Sequence, residues 1–138
     1  MELNTLKDGA TQLGLHLTAT QIDLFARYLT LLQEGNRRAN LTAILEPEEI
    51  MVRHFLDSLT LSAAIDPNRI SGSSLLDVGS GAGFPGLPIA IAFPSCRVTL
   101  LESKSKKTAF LQSTKSELGL STVTIVEGRS ETMAHDPS

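Results

Sequence analysis

The first half of the chain repeats its apolar residues every three or four positions, and the second half gathers them into short runs separated by glycines. Leu3, Leu6, Ala10 and Leu13 follow the helical period and predict a short amphipathic helix over 3–13. Thr18 or Thr20 can cap a second helix with Ile22, Phe25, Ala26, Leu29 and Leu32 on one face, ending near Gly35-Asn36. Residues 36–45 then form a polar connector that carries Arg37, Arg38, Asn40 and Thr42. A third helix opens at Pro47, whose missing N–H costs nothing in a first turn, with Glu48 and Glu49 at the positive end of its dipole. Ile50, Phe55, Leu59 and Leu61 carry it to about Ile65, and Asp66-Pro67-Asn68 stops it.

From Ser73 the pattern changes. Leu75–Val78 predicts a buried strand, Pro85–Phe93 a helix, Cys96–Leu101 a strand, Lys104–Leu118 a helix and Val123–Val126 a third strand. Pro88 is compatible with the first of these helices, because first-turn N–H groups have no helical partner. Strands alternating with helices across short links require parallel pairing and right-handed crossovers. The expected fold is α/β. A helical N-terminal region at 1–70 precedes, at 71–138, the first half of a doubly wound, Rossmann-like sheet with three strands and two helices.

Composition narrows the classes available. A hydrophobic share of 41% and a charged share of 20% belong to a globular protein rather than a disordered one. No apolar run approaches the ~20 residues of a membrane span, and Met1-Glu2-Leu3-Asn4 lacks the basic start of a signal peptide. A cytoplasmic protein without membrane contact is expected. The lone Cys96 can form neither an internal disulfide nor a metal site by itself, and fits a small buried residue at a strand start. A formal charge of −3 argues against general polyanion binding, but charge acts locally. Arg37-Arg38 and Lys104, Lys106 and Lys107 form two basic groups.

The densest chemical signal is Leu75-Leu76-Asp77-Val78-Gly79-Ser80-Gly81-Ala82-Gly83-Phe84-Pro85-Gly86: a strand ending in an acid, a glycine-rich turn, then a proline-opened helix. Side chains deleted at alternate positions let a ligand lie on the main chain. Gly81-Ala82-Gly83-Phe84-Pro85-Gly86 matches the dinucleotide fingerprint by letter, and Gly79-Ser80-Gly81-Ala82-Gly83 matches the loop of S-adenosylmethionine enzymes. In a dinucleotide site the first glycine directly follows the strand. That frame starts at Gly79 and places Phe84 where the third glycine belongs. A carboxylate at the loop mouth repels a pyrophosphate but suits an ammonium and a sulfonium, so Asp77 favours the second frame. Glu102 closes the next strand and can accept hydrogen bonds from both ribose hydroxyls in either frame.

With these residues in place the chain resembles the RsmG (GidB) family, methyltransferases that modify guanine N7 in 16S ribosomal RNA. The likeness runs through Asn40-Leu41-Thr42-Ala43-Ile44, His54-Phe55-Leu56-Asp57-Ser58-Leu59, the loop with its extension to Leu87-Pro88, Val98–Ser103, Lys106-Lys107 and Phe110-Leu111. The resemblance implies S-adenosyl-L-methionine as cofactor and 16S ribosomal RNA or the small ribosomal subunit as partner. It implies that Asp77, Gly79, Gly81 and Gly83 surround the methionine part, with Ser80 and Phe84 also binding the cofactor, that Glu102 binds the ribose, and that Arg129, Ser130 and Glu131 lie against the adenine. It places His54 and Asp57 beside the substrate opening and makes Arg37, Arg38, Lys106 and Lys107 candidate RNA contacts.

Guanine N7 carries an exposed lone pair, so its methylation removes no proton and requires no catalytic acid or base. Only the first half of a methyltransferase sheet fits before Ser138, so a truncated or interrupted member is expected, with an edge open to edge-to-edge association. Two alternatives stand beside this reading: a non-catalytic RNA- or partner-binding fragment, and a nicotinamide-dependent oxidoreductase.

Overall fold

Three short strands pair in parallel in the order β1-β2-β3, with β1 spanning Ser74–Val78, β2 Arg97–Glu102 and β3 Val123–Glu127. The computed structural model describes residues 2–39, 48–63, 73–79 and 81–128. Ahead of the sheet come α1 (Glu2–Gln12), α2 (Ala19–Ala39) and α3 (Glu48–Ala63); α4 (Gly86–Ala92) and α5 (Ser105–Leu118) link the strands. Register sets Asp77 opposite Leu100 and Leu100 opposite Ile125, so the ends of all three strands carry the loops that follow them on one edge.

Local signals account for most element ends. Thr18 and Gln21 cap α2 reciprocally: the Thr18 hydroxyl accepts the Gln21 N–H at 3.1 Å, and the Gln21 side-chain oxygen accepts the Thr18 N–H at 2.8 Å. The Gln21 amide nitrogen also donates to the carbonyls of Ile91 and Ala92, satisfying the C-terminal end of α4. Gly119 closes α5 at φ +65°, donating to the carbonyls of Lys115 and Ser116.

Two expectations are corrected. Helix α2 does not stop at Gly35-Asn36 but runs to Ala39, so Arg37 and Arg38 are helical rather than part of a connector. Helix α2 as a whole docks along α5, with Gly35, Lys106 and Phe110 lining a cleft between them, and that docking carries the helix through a residue whose propensity alone would end it. The second correction concerns β1. Its Leu75 and Asp77 face inward, but Leu76 is 60% and Val78 53% exposed, so the strand is covered on one face only. The remaining expected sequence features at 40–47, 64–72 and 129–138, including Pro47 and the 70/71 boundary, lie outside the described residues.

One core joins helices and sheet. Leu6 of α1, Phe25, Tyr28 and Leu32 of α2, Phe55 and Leu59 of α3, Leu87 of α4, Leu100 of β2 and Leu111 of α5 are all at 0% exposure. Each such side chain contributes on the order of 1.5–3 kcal/mol of transfer free energy. At its centre the Tyr28 and Phe55 rings stack 5.2 Å apart, and Phe25 and Phe84 lie against Phe55 at 5.1 and 5.8 Å. The aromatic residues are few, yet they converge beneath the glycine-rich turn.

Candidate functional site

The turn after β1 takes the backbone that its glycines allow. Gly79, Gly81 and Gly83 stand at φ +72°, +57° and +100°, a region closed to most side chains. At Gly83 a Cβ would also lie 2.5 Å from Leu87 Cδ1 and 2.7 Å from the Tyr28 hydroxyl. The turn is held from several sides. The Gly79 N–H continues the sheet ladder to the Leu101 carbonyl, the Gly81 N–H donates to Glu102 Oε1 at 2.9 Å, and the Gly86 N–H donates to Asp77 Oδ2 at 3.0 Å.

Asp77 and Glu102 are both buried, at 8% and 5% exposure, and both spend oxygens on backbone donors. Asp77 sits under the loop and fastens the start of α4. Glu102 ties the loop to α5, since its Oε2 accepts the Lys104 N–H at 2.9 Å while Oε1 holds Gly81. Burial pushes the Glu102 carboxyl up, but the N–H groups of Lys104 and Gly81, the charge of Lys107 and the Ser103 N–H outweigh it, so the group stays below its ordinary value. The Gly128 N–H donates to the main-chain carbonyl of Glu102, continuing the ladder between β2 and β3 by one residue.

His54 reaches the site from α3: its ring lies 5.4 Å from Phe84. Asp57, one turn along the same helix, is exposed. Phe84 packs against Tyr28, Phe55 and His54 and so acts as the floor of the turn. Helices α2 and α5 run antiparallel, with Arg27 paired to Glu117 at one end and Glu34 sharing a cleft with Lys106 at the other. The turn of α2 that carries Arg37 thus continues toward the end of α5 that bears Lys106 and Lys107. Arg37 and Lys106 are exposed, and Lys107 is half-buried beside Glu102. The side chain of Arg38, and all of Ser80, Arg129, Ser130 and Glu131, lie outside the described residues.

No pattern along the chain pointed to a role for Tyr28. Its fully buried hydroxyl donates to the Ala82 carbonyl at 2.5 Å, in the middle of the turn. The available signal was a single tyrosine on the apolar face of α2, since a buried tyrosine hydroxyl needs a partner. Among the described residues no helix is long and apolar enough to cross a membrane, and no group of three His, Cys, Asp or Glu residues could hold a metal ion.

A family model described as rRNA small subunit methyltransferase G (GidB) matches residues 21–138. Proteins called ribosomal RNA small subunit methyltransferase G are similar over nearly the whole chain. That of Roseiflexus castenholzii (strain DSM 13941 / HLO8) is 50% identical over 130 residues, covering 93% of this chain and 53% of the relative. That of Pelotomaculum thermopropionicum (strain DSM 13744 / JCM 10971 / SI) is 44% identical over 133 residues, covering 96% and 55%. The chain therefore spans about half the length of these relatives. Among solved structures, coclaurine N-methyltransferase bound to N-methylheliamine and SAH superposes with a TM-score of 0.50 at 21% identity, covering 74% of this chain and 29% of that one. A mutant of MtNAS in complex with S-adenosylmethionine gives a TM-score of 0.50 at 13% identity, covering 97% and 48%. At such identities the likeness establishes the fold alone: a Rossmann-like methyltransferase sheet, of which three strands are described.

Proposed function

The chain belongs to the rRNA small subunit methyltransferase G family, and from that premise we propose that its glycine turn binds S-adenosyl-L-methionine for methyl transfer to guanine N7 of 16S ribosomal RNA. One observation carries the reading: three alternate glycines at positive φ between β1 and α4, with the Glu102 carboxylate at the same edge. The exposed backbone of Gly79 and the turn of Gly81 and Gly83 receive the amino-acid end of the cofactor, with Phe84 beneath them. Asp77 acts through the loop it fastens, and adds negative charge below a cationic ligand. The Glu102 carboxylate accepts backbone N–H groups at both oxygens, and its roughly four acceptor positions leave room for a ribose contact. On the sequence resemblance, Ser80 is assigned to the cofactor with the glycines, and Arg129, Ser130 and Glu131 to its adenine.

Chemistry at N7 consists of placing a lone pair about 3–3.5 Å from the sulfonium methyl, in line with the breaking bond. When bound, the cofactor supplies the methyl group and a neutral thioether as leaving group. The residues of this chain orient and exclude water; none is needed to move a proton. His54, beside Phe84, and Asp57 on the next turn of α3 occupy the substrate side. Arg37, Arg38, Lys106 and Lys107 contact phosphates of the folded RNA, where shape and backbone contacts dominate. The reading carries with it a cytoplasmic location and the small ribosomal subunit as partner.

Association between copies is part of the same proposal. Among the described residues no strand pairs with the outer edge of β1, and Leu76 and Val78 are exposed beside it. Leu76→Lys should then lower self-association in sedimentation velocity without lowering cofactor affinity.

Calorimetric titration with S-adenosylhomocysteine, with NAD as the control, tests the cofactor assignment. Selective binding of S-adenosylhomocysteine is expected; selective binding of NAD would overturn it. Transfer of labelled methyl groups to 16S ribosomal RNA then separates an active chain from one that binds RNA without catalysis.

A further inference from the structure

We propose that Tyr28 is a positioning residue for the glycine turn, through which α2 sets the backbone that receives the amino-acid end of the cofactor; this rests on the cofactor assignment above. A turn built on glycines has no side chains of its own to anchor it, so its conformation depends on what holds its backbone. Glu102 and Asp77 hold the N–H groups of Gly81 and Gly86 from the strands on which they sit. The carbonyl of Ala82, between the two positive-φ glycines, is held from 54 positions away by the Tyr28 hydroxyl. The tether comes from outside the sheet, from a helix that precedes it in the chain.

Three further observations fit the hydroxyl to this task. The Tyr28 ring is immobilised between Phe55, stacked at 5.2 Å, and Phe84 at 5.9 Å, so the O–H is aimed before any ligand arrives. The space opposite the hydroxyl is vacant of a side chain because residue 83 is glycine, where a Cβ would approach within 2.7 Å. Burial, together with the negative charge of Asp77, raises the phenol well above its ordinary pKa, so it remains a donor throughout the working pH range. The Ala82 carbonyl accepts one bond here, and its loss would leave a buried acceptor unmet and the turn free to rotate away from the cofactor tail.

The role predicts a selective defect. The turn serves the amino-acid tail, whereas the nucleoside end lies toward Glu102. Tyr28→Phe keeps the ring, its stacking and its volume, and deletes only the hydroxyl. Titration of the full chain and of the variant with S-adenosylhomocysteine and with 5′-methylthioadenosine, the same nucleoside without the tail, separates the possibilities. About a tenfold loss for S-adenosylhomocysteine, or about 1.4 kcal/mol, with 5′-methylthioadenosine unchanged, is the expected result. Equal losses for both ligands, or none for either, would overturn the proposal. A Tyr28→Phe chain without native circular dichroism would overturn it as well, because the hydroxyl would then determine the fold rather than the aim of the turn. Hydrogen exchange gives an independent reading. The Gly81 amide, bonded to Glu102, should exchange faster in Tyr28→Phe than in the unaltered protein as the turn loosens, and an unchanged rate would count against the tether. Failure of the unaltered chain to bind S-adenosylhomocysteine refutes the cofactor assignment and this role with it, whereas wild-type affinity in the variant refutes this role alone.

Discussion

Gly86→Ala puts the packing around the site to a quantitative test. Gly86 opens α4 with both its neighbours in the sheet at close range: a Cβ there would lie 2.4 Å from Leu100 Cδ2, 3.0 Å from Asp77 Oδ2 and 3.2 Å from Val98 Cγ1. Its φ is not in the left-handed region, so no backbone strain enters and the sign depends on contacts alone. Alanine in a helix gains up to about 1 kcal/mol over glycine, and less in a first turn. Against this, Leu100 and Val98 are at 0% and 1% exposure and have no room to withdraw. An added methyl in such a core costs about 1–3 kcal/mol. Displacing Asp77 from the Gly86 N–H adds on the order of 1 kcal/mol.

The net expectation is a loss of about 1–3 kcal/mol, read as a fall in Tm of roughly 4–12 °C for a chain of this size. Leu100→Val removes the Cδ2 atom that takes the shortest contact. In that background the cost of Gly86→Ala should shrink by about 1 kcal/mol, a coupling that a double-mutant cycle in urea measures directly. Unchanged or raised stability in Gly86→Ala, or strict additivity with Leu100→Val, would refute the account of why this helix begins on glycine.

Three further outcomes follow from the same geometry. The Glu102 carboxyl is held below its ordinary value in the folded protein, so its contribution is present above that value and disappears as pH falls through its folded pKa; Glu102→Gln should lower Tm near neutrality, and the gap to the wild type should close as the pH falls below the ordinary glutamate range. Phe55→Ala removes the ring on which Phe25, Tyr28 and Phe84 converge and should cost about 3–5 kcal/mol in denaturant unfolding, with S-adenosylhomocysteine affinity falling as well. Arg27→Ala breaks an ion pair whose side chains are 59% and 45% exposed, so stability should change by less than about 1 kcal/mol, and a larger loss would mean that the α2–α5 contact depends on charge rather than on its apolar side.

The sequence was legible wherever a backbone conformation demands one residue type. Gly79, Gly81 and Gly83 announced a turn at positive φ, two threonines announced the start of α2, of which Thr18 is the cap, and the short apolar runs announced three strands in parallel order. It was misleading where tertiary packing overrides a local signal. Gly35 has the propensity of a helix end, but α2 as a whole docks along α5 and continues to Ala39. Leu75–Val78 has the composition of a strand buried on both faces, and an unbroken apolar run reads the same when only one face is covered, as Leu76 and Val78 demonstrate.

A different reason explains why Tyr28 was invisible and Glu102 only half seen. Both act on main-chain atoms: the tyrosine on the Ala82 carbonyl, the glutamate on the N–H groups of Gly81 and Lys104. Every residue carries those groups, so no choice of side chain at the receiving position records the contact. The same holds for Asp77, whose acidic character suggests a ligand for a cation while its oxygen holds the Gly86 N–H. A glycine-rich turn makes this the rule rather than the exception, because deleting side chains to admit a ligand also deletes the letters by which its supports could be recognised. Its glycines can be read from the chain; the residues that aim them become identifiable only when the fold brings their polar atoms to the turn's backbone.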